Sequence, residues 1–313
     1  MLTRHPGRDS SACGVVVYTL RPYHPDRCRG SIDGVSGVLH VVGTPIGNLA
    51  DLSDRARETL ANADVVAAED TRRTGRLLRH LGITARMVSL FDANEPQRTE
   101  LLIGQLRRGT NVALVSDAGM PIVSDPGFRL VRRCADEGIE VRVVPGPSAV
   151  TAALVVSGLP ANRFVFEGFL PRRAGERLER LRALANEPRT VVLFESPIRL
   201  AAMLRDLLAE LGDRRIAVAR ELTKLHEDVV RGTVSELLVA LEGSTTRGEV
   251  VVVVEGATEP EATELAALVR EAQLLVESGT RRREAARSVA RDRGGSANEI
   301  YEALLRSKAD GPD

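Results

Sequence analysis

Long apolar runs are missing from this chain of 313 residues. No uninterrupted run exceeds Val250–Val254, far short of the roughly 20 residues needed to cross a bilayer, so that run reads as a buried strand. With 27% charged residues, membrane residence is not expected. Net charge is lacking too: the formal sum is zero, so there is no bulk attraction for a polyanion, and any such contact must come from local basic patches. Cysteine is scarce. Cys13, Cys28 and Cys134 are odd in number and have no C-x-x-C spacing, which speaks against a disulfide scaffold or a zinc site and for a reducing compartment. The five histidines, two of them before residue 35, leave little material for metal catalysis. Only two lysines occur, Lys224 and Lys308. Neither follows a glycine, so no phosphate-binding Walker loop is present. Arginine supplies the rest of the basic residues, a bias that by itself says nothing about function.

What is present suffices for a folded core: 43% of residues are hydrophobic, and the length accommodates two medium domains and an appendage. Residues 1–37, rich in proline, arginine and scattered glycine, read as a disordered extension. Their one short apolar stretch, Gly14–Leu20, is half a signal-peptide core without a convincing cleavage site. From residue 38 to 160 short apolar strands alternate with helical segments. Strands are expected at Leu39–Val42, Asp64–Glu69, Met87–Leu90, Asn111–Ser116 and Glu140–Val144. These are Val/Ala-rich rather than alternating, as in a sheet covered by helices on both faces. The fold class is α/β, doubly wound in this first domain. A second α/β domain is expected over 161–257, with strands at Phe164–Phe166, Thr190–Phe194, Arg215–Ala219, Asp228–Arg231 and Glu249–Glu255. No helix fits between Ala219 and Asp228, which suggests an antiparallel pair in a mixed sheet. Residues 258–313 read as a helical tail.

Several familiar motifs fail on their letters. Gly43-Thr44-Pro45-Ile46-Gly47 lacks dinucleotide-fold spacing, Gly146-Pro147-Ser148-Ala149-Val150 lacks the last glycine of a nucleophile elbow, and His226-Glu227 lacks the second histidine of a zincin. What remains is three glycine- or proline-rich loops placed just after strands: Gly43–Leu49, Ser116–Gly127 and Pro145–Ala149. In an open α/β sheet, loops at the carboxyl ends of strands line the ligand crevice.

These loops stand in order with Glu69-Asp70-Thr71-Arg72, Phe166–Pro171, Phe194-Glu195-Ser196-Pro197 and Arg220-Glu221-Leu222-Thr223-Lys224. Together the seven blocks resemble the tetrapyrrole-methylase-like superfamily of S-adenosylmethionine-dependent methyltransferases, and within it the small-subunit ribosomal RNA methyltransferases. The resemblance runs from about Val38 to Gly256. It implies two α/β domains with the cofactor between them, a homodimer, a cytoplasmic location, no metal, and as substrate a cytidine of the 16S rRNA decoding centre in the 30S subunit, methylated on its ribose 2′-oxygen. Carried over residue by residue, it assigns the S-adenosylmethionine pocket to Pro45, to Asp117, Ala118, Gly119 and Met120, to Ser148 and Ala149, and to Leu170 of the second domain.

Such a reaction rests on aligning the 2′-oxygen with the methyl group and excluding water. A general base would help. Asp70, Glu195, Glu221 and Lys224 are candidates, with His226 a weaker one, and no spacing chooses among them. RNA contact would fall to two arginine clusters. One is Arg172, Arg173, Arg177, Arg180 and Arg182. The other is Arg281, Arg282, Arg283, Arg287, Arg291 and Arg293, in a tail that resembles a helix-turn-helix module with Ala285, Ala286, Val289 and Ala290 as its apolar stripe. Two other readings remain: a corrin or porphyrin-precursor methylase of the same fold, and a non-catalytic ribosome-assembly module. The Asp117-Ala118-Gly119 letters and the arginine-rich tail favour RNA over a tetrapyrrole.

Overall fold

The computed structural model describes residues 36–241, 248–257 and 262–306. Residues 1–35, with Cys13 and Cys28, lie outside the described residues, as does Lys308. The first sheet joins β1 (Leu39–Val42), β2 (Val65–Ala68), β3 (Met87–Ser89), β4 (Val112–Val115) and β5 (Val141–Val144) in the order β3-β2-β4-β1-β5. Every pairing is parallel. Successive strand side chains point to opposite faces, and in the central strands β2 and β4 both faces are buried, which is why those two are uninterrupted apolar runs. Val65 and Ala67 pack with α3 (Glu95–Leu106) and α4 (Phe128–Asp136). Val66 and Ala68 pack with α1 (Asp54–Asn62) and α2 (Thr71–His80) on the other side. The sheet is thus doubly wound. The helices that follow β1 and β4, adjacent strands, leave toward opposite faces, so a crevice opens between the ends of those two strands.

The second sheet has the order β6-β7-β10-β8-β9, built from β6 (Phe164–Phe169), β7 (Thr190–Glu195), β8 (Arg215–Arg220), β9 (Asp228–Thr233) and β10 (Val250–Val254). The β6–β7 pair is parallel and the other pairs are antiparallel. Valine at five successive positions in β10 has a direct cause. The strand is central, Val250, Val252 and Val254 face α6 (Ala174–Ala183), α7 (Leu200–Leu211) and α8 (Val234–Leu241), and Val251 and Val253 face α5 (Ala149–Ser157). Helix α5 follows the last strand of the first sheet yet packs on the second. Ile46 and Ala118, from two loops of the first sheet, join the same apolar cluster.

Strand β6 runs three residues past its expected end. A bulge at Glu167 shifts the register between Phe166 and Gly168, and Gly168 takes a positive φ of 65°, so pairing resumes and Phe169 is re-aimed. The tail folds as α9 (Ala262–Glu277), α10 (Arg282–Arg293) and α11 (Ala297–Arg306) around its own core of Ala285, Ala286, Val289, Ile300 and Leu304. Ser296 caps α11, its Oγ accepting from the Glu299 amide at 3.4 Å. Among the described residues no helix is long and apolar enough to cross a membrane.

Candidate active site

Strands β4, β1 and β5 are neighbours, so the three loops that leave their carboxyl ends converge. The first two are joined backbone to backbone: Thr44 and Gly119 exchange N–H···O bonds of 2.9 and 3.1 Å. The first and third meet at glycines. A Cβ on Gly43 would stand 2.7 Å from the backbone nitrogen and Cα of Gly146, so only two residues without side chains allow this approach. Glu69 and Asp70, at the end of β2, hold the second loop from the side. The Asp117 amide donates to Glu69 Oε2 at 3.4 Å, the Asp70 amide donates to Asp117 Oδ1 at 3.1 Å, and Asp117 Oδ2 pairs with Arg73 Nη1 at 3.3 Å. The loop is also strained. Ile122 and Ser124 adopt positive φ of 79° and 67°, conformations that persist only where surroundings impose them and that gather at functional sites.

Between these loops and the second sheet lies a cleft of about 400 Å³. Ile46, Asp117, Ala118, Gly119, Met120, Ser148 and Ala149 line it from one side, and Phe169, Phe194, Glu195 and Pro197 from the other. Phe169 packs edge-on against Phe194 with ring centroids 5.5 Å apart. Pro45 and Leu170 are not among the lining residues. Their neighbours Ile46 and Phe169 are, and Leu170 is buried in the second-sheet core.

Charge in the cleft is lopsided: among the described residues Glu69, Asp117, Asp125, Glu195 and Glu249 face a single arginine, Arg73. Burial pushes the Glu69 and Asp117 carboxyls above the ordinary range. It pushes Asp125 furthest, to about 6, helped by repulsion from Glu69, Asp117 and Asp92. The letters around Asp125 are those of turn punctuation, and only its burial in the folded chain distinguishes it.

The sequence candidates for a base separate clearly. Asp70 caps α2 and is held by Arg72 at a pKa of about 2. It lies beside the cleft rather than in it. Glu221 and Lys224 form a 2.8 Å pair at the rim, next to the lining residue Glu249. Burial lowers the Lys224 pKa, but its carboxylate partners outweigh that and keep the ammonium protonated beyond the usual range; Glu221 is lowered by the same hydrogen bond. His226 is exposed and off the cleft. Glu195 is 2% exposed. It accepts from the Ser196 amide at 2.7 Å and pairs with Arg199 at 3.3 Å, and Arg199 in turn donates to the Leu170 and Pro171 carbonyls at 3.1 Å. That network fixes the second-domain wall. Among the described residues no group of three or more His, Cys, Asp or Glu is arranged to hold a metal ion.

The two arginine clusters read from the sequence differ in freedom. Arg177 is locked to Asp206 at 2.6 Å, Arg180 to Glu167 at 2.6 Å and Arg182 to Glu210 at 2.9 Å, while Arg173 pairs with Glu176 in the open. Arg172 is exposed. In the tail Arg281 and Arg283 are exposed, Arg283 lying over the Tyr301 ring at 5.6 Å, and Arg282 is half-buried. The fold adds a third basic surface, on α2, whose arginines Arg72, Arg73, Arg76 and Arg79 also stand close together in the sequence.

Comparison with known proteins agrees with this arrangement. Residues 38–238 match the family model of tetrapyrrole (corrin/porphyrin) methylases. A ribosomal RNA small subunit methyltransferase I from Mycobacterium tuberculosis (strain CDC 1551 / Oshkosh) is 48% identical over 277 residues, covering 87% of this chain and 96% of its own. One from Thermotoga maritima is 50% identical over 220 residues, 70% of this chain and 99% of its own. Among solved structures, a uroporphyrin-III-C-methyltransferase from Thermus thermophilus superposes with a TM-score of 0.50 at 25% identity, over 69% of this chain and 94% of that one. The parallel sheet, the three knitted loops and these matches lead to one family, and the chain belongs to the tetrapyrrole methylases.

Proposed function

We propose that this chain is an S-adenosylmethionine-dependent methyltransferase that acts on the ribose 2′-oxygen of a cytidine in the decoding centre of 16S rRNA, within the 30S subunit. The observation that carries the reading is the three-loop cleft, set in a chain that is 48% identical to a relative named for small-subunit ribosomal RNA methylation. The same reading makes it a cytoplasmic homodimer.

The residues fit the cofactor. Loops joined at Gly43 and Gly146 keep backbone groups close to a ligand, and Ile46, Met120, Phe169 and Phe194 offer an apolar surface for adenosine. The excess of carboxylates suits a ligand whose sulfonium and ammonium outweigh its one carboxylate. Asp117, Ala118, Gly119, Met120, Ser148 and Ala149 would hold it through side chains and loop amides. Pro45 and Leu170 would contribute through the backbone positions that they fix. When bound, S-adenosylmethionine supplies a methyl group already activated on sulfur.

This chain's own residues then bind, orient and move a proton. Asp125 takes the proton from the attacking 2′-hydroxyl: it faces the cleft, and a carboxyl near 6 is ionised at neutral pH yet more basic than an ordinary one. Asp70, held near 2, is too weak a base for that step. Glu195 positions the second-domain wall through Arg199, and Lys224 stays a cation at the rim. Arg172 and Arg173, with Arg281, Arg282 and Arg283, are the phosphate contacts of this reading.

Transfer of labelled methyl from the cofactor to unmodified 30S subunits, with tetrapyrrole precursors as the parallel substrate, tests it. Label in an alkali-resistant dinucleotide containing cytidine supports ribose methylation. Label in the tetrapyrrole moves the chain to small-molecule chemistry, and label in neither leaves a non-catalytic assembly module.

A further inference from the structure

Beside the cleft, α2 and β3 border a broad groove of about 870 Å³ lined by Arg72, Arg73, Arg76 and Arg79. We propose that this groove binds the phosphate backbone of the ribosomal RNA next to the methylated nucleotide, so that α2 is the surface that delivers the target ribose to the cleft. The inference rests on the RNA methyltransferase reading above and adds to it a binding surface.

The charge is unbalanced and outward. The four arginines are all exposed, and among the described residues Asp70 is the only carboxylate in the lining. Arg72, Arg76 and Arg79 form one stripe at helical spacing, where like charges three and four residues apart repel. A protein with no net charge would gain nothing by gathering them there, but a polyanion would turn that repulsion into attraction. Two of the four have partners in the free protein, Arg72 with Asp70 and Arg73 with Asp117. Among the described residues Arg76 has no carboxylate partner, and the guanidinium of Arg79 reaches only the carbonyl of Gly75, at 3.2 Å. Both keep most of their forked donor set for phosphate oxygens.

The shape agrees. Gly75 sits in the middle of α2 and lines the groove, although glycine there weakens a helix by about 1 kcal/mol relative to alanine. A Cβ at Gly75 would reach into the groove toward Met87, meeting its Cε at 3.3 Å. From Arg72 to Arg79 the helix rises about 10 Å, a length suited to a short piece of backbone. The groove also leads somewhere. Arg73 lines both it and the cleft, and Asp70 ties the start of α2 to Asp117 of the cofactor loop. A strand held on α2 therefore ends beside the reacting centre, as a substrate too large to enter the cleft must.

The test uses Arg76→Gln/Arg79→Gln and its conservative partner Arg76→Lys/Arg79→Lys in the full chain, with 30S subunits as substrate. The glutamine variant should raise KM for 30S subunits about tenfold or more at moderate salt, leave kcat at saturating subunits near wild type, and leave cofactor affinity by calorimetry unchanged. Its log-affinity against log-salt slope should flatten by about 0.7 for each phosphate no longer held. The lysine variant, which keeps the charge, should recover much of the loss. If wild-type protein methylates 30S subunits and the glutamine variant matches it in KM and salt slope, the groove is a solvated face and the proposal fails. A fall in kcat or in cofactor affinity without a change in KM also overturns it, because α2 would then act only on the shape of the cleft. If wild-type protein does not methylate 30S subunits at all, it is the underlying reading that fails.

Discussion

Two aspartates of neighbouring loops illustrate how environment divides labour among like side chains. Asp70 is exposed to Arg72 and spends its carboxylate on a helix cap, with a pKa of about 2. Asp125 is half-buried near other carboxyls, and that burial pushes its pKa up to about 6. The folded chain thus favours protonated Asp125, so its contribution to stability is complete below about pH 4 and is lost as pH rises through 6. Asp125→Asn, which cannot ionise, should stabilise the cofactor-free protein above pH 6 by on the order of 1–2 kcal/mol. That gain should fade toward pH 4, and thermal melts across this range measure it. Activity should move the other way. The wild-type rate falls as pH drops through 6, whereas the asparagine variant should be slower by roughly 10²-fold or more and flat across that window. A variant with wild-type rate and an intact acidic limb would remove Asp125 from the proton transfer.

At the scale of elements, the cleft depends on how tightly turns can meet. Gly43→Ala places a methyl 2.7 Å from the Gly146 backbone, which cannot yield as a side-chain end could. Cofactor affinity should fall about tenfold or more, or 1.4 kcal/mol. Gly175→Ala, in α6 where nothing stands within 4 Å of the added carbon, is the control and should leave affinity unchanged. Helix α4 sets the far end of the second loop, Ser116–Gly127. Buried Glu95 accepts from the amides of Gly127 and Arg129 at 3.1 and 2.9 Å, so Glu95→Ala leaves those donors unpaired and should cost about 1–3 kcal/mol in denaturant unfolding. Periodicity carries none of this. The strand segments are legible because apolar runs bounded by turn residues signal buried strands, and Leu39–Val42 has the bounds expected. The bulge that carries β6 past Phe166 is not, since an extra residue in a ladder is settled by pairing with β7. Nor are Asp125 and Glu95, whose letters are those of ordinary loops and helix starts. Their roles come from neighbours met only in three dimensions. Arginine spacing alone does not rank the basic surfaces either: Arg72, Arg73, Arg76 and Arg79 lie as close together in the sequence as the cluster near Arg177, and only the fold shows that the latter is largely neutralised by Asp206, Glu167 and Glu210.

Across the whole molecule, the apolar clusters divide by purpose. Two bury the faces of the first sheet and one the helical face of the second. A fourth unites α5 with Ile46 and Ala118 of the loops after β1 and β4, so the wall of the cleft is also the joint between the two sheets. Ligand binding there should stiffen that joint and raise the melting temperature of the whole two-sheet body. The tail stands apart, since its cluster draws only on α9, α10 and α11. The match with the Thermotoga maritima relative, 220 residues and 99% of that protein, is long enough for the two α/β domains but not for the tail as well. A chain ending at Ala257 should therefore keep cofactor affinity within about twofold, a change under 0.5 kcal/mol, and should melt within a few degrees of the full chain. Its hold on 30S subunits should weaken if Arg281, Arg282 and Arg283 meet phosphates, and every phosphate released should flatten the salt slope by roughly 0.7 to 0.9. Arg172, Arg173 and the α2 groove remain in the shortened chain, so a residual salt dependence should persist, and replacing Arg76 and Arg79 as well should flatten it further. If the shortened chain loses its cofactor, the tail braces the cleft and the division of the molecule drawn from its cores is wrong.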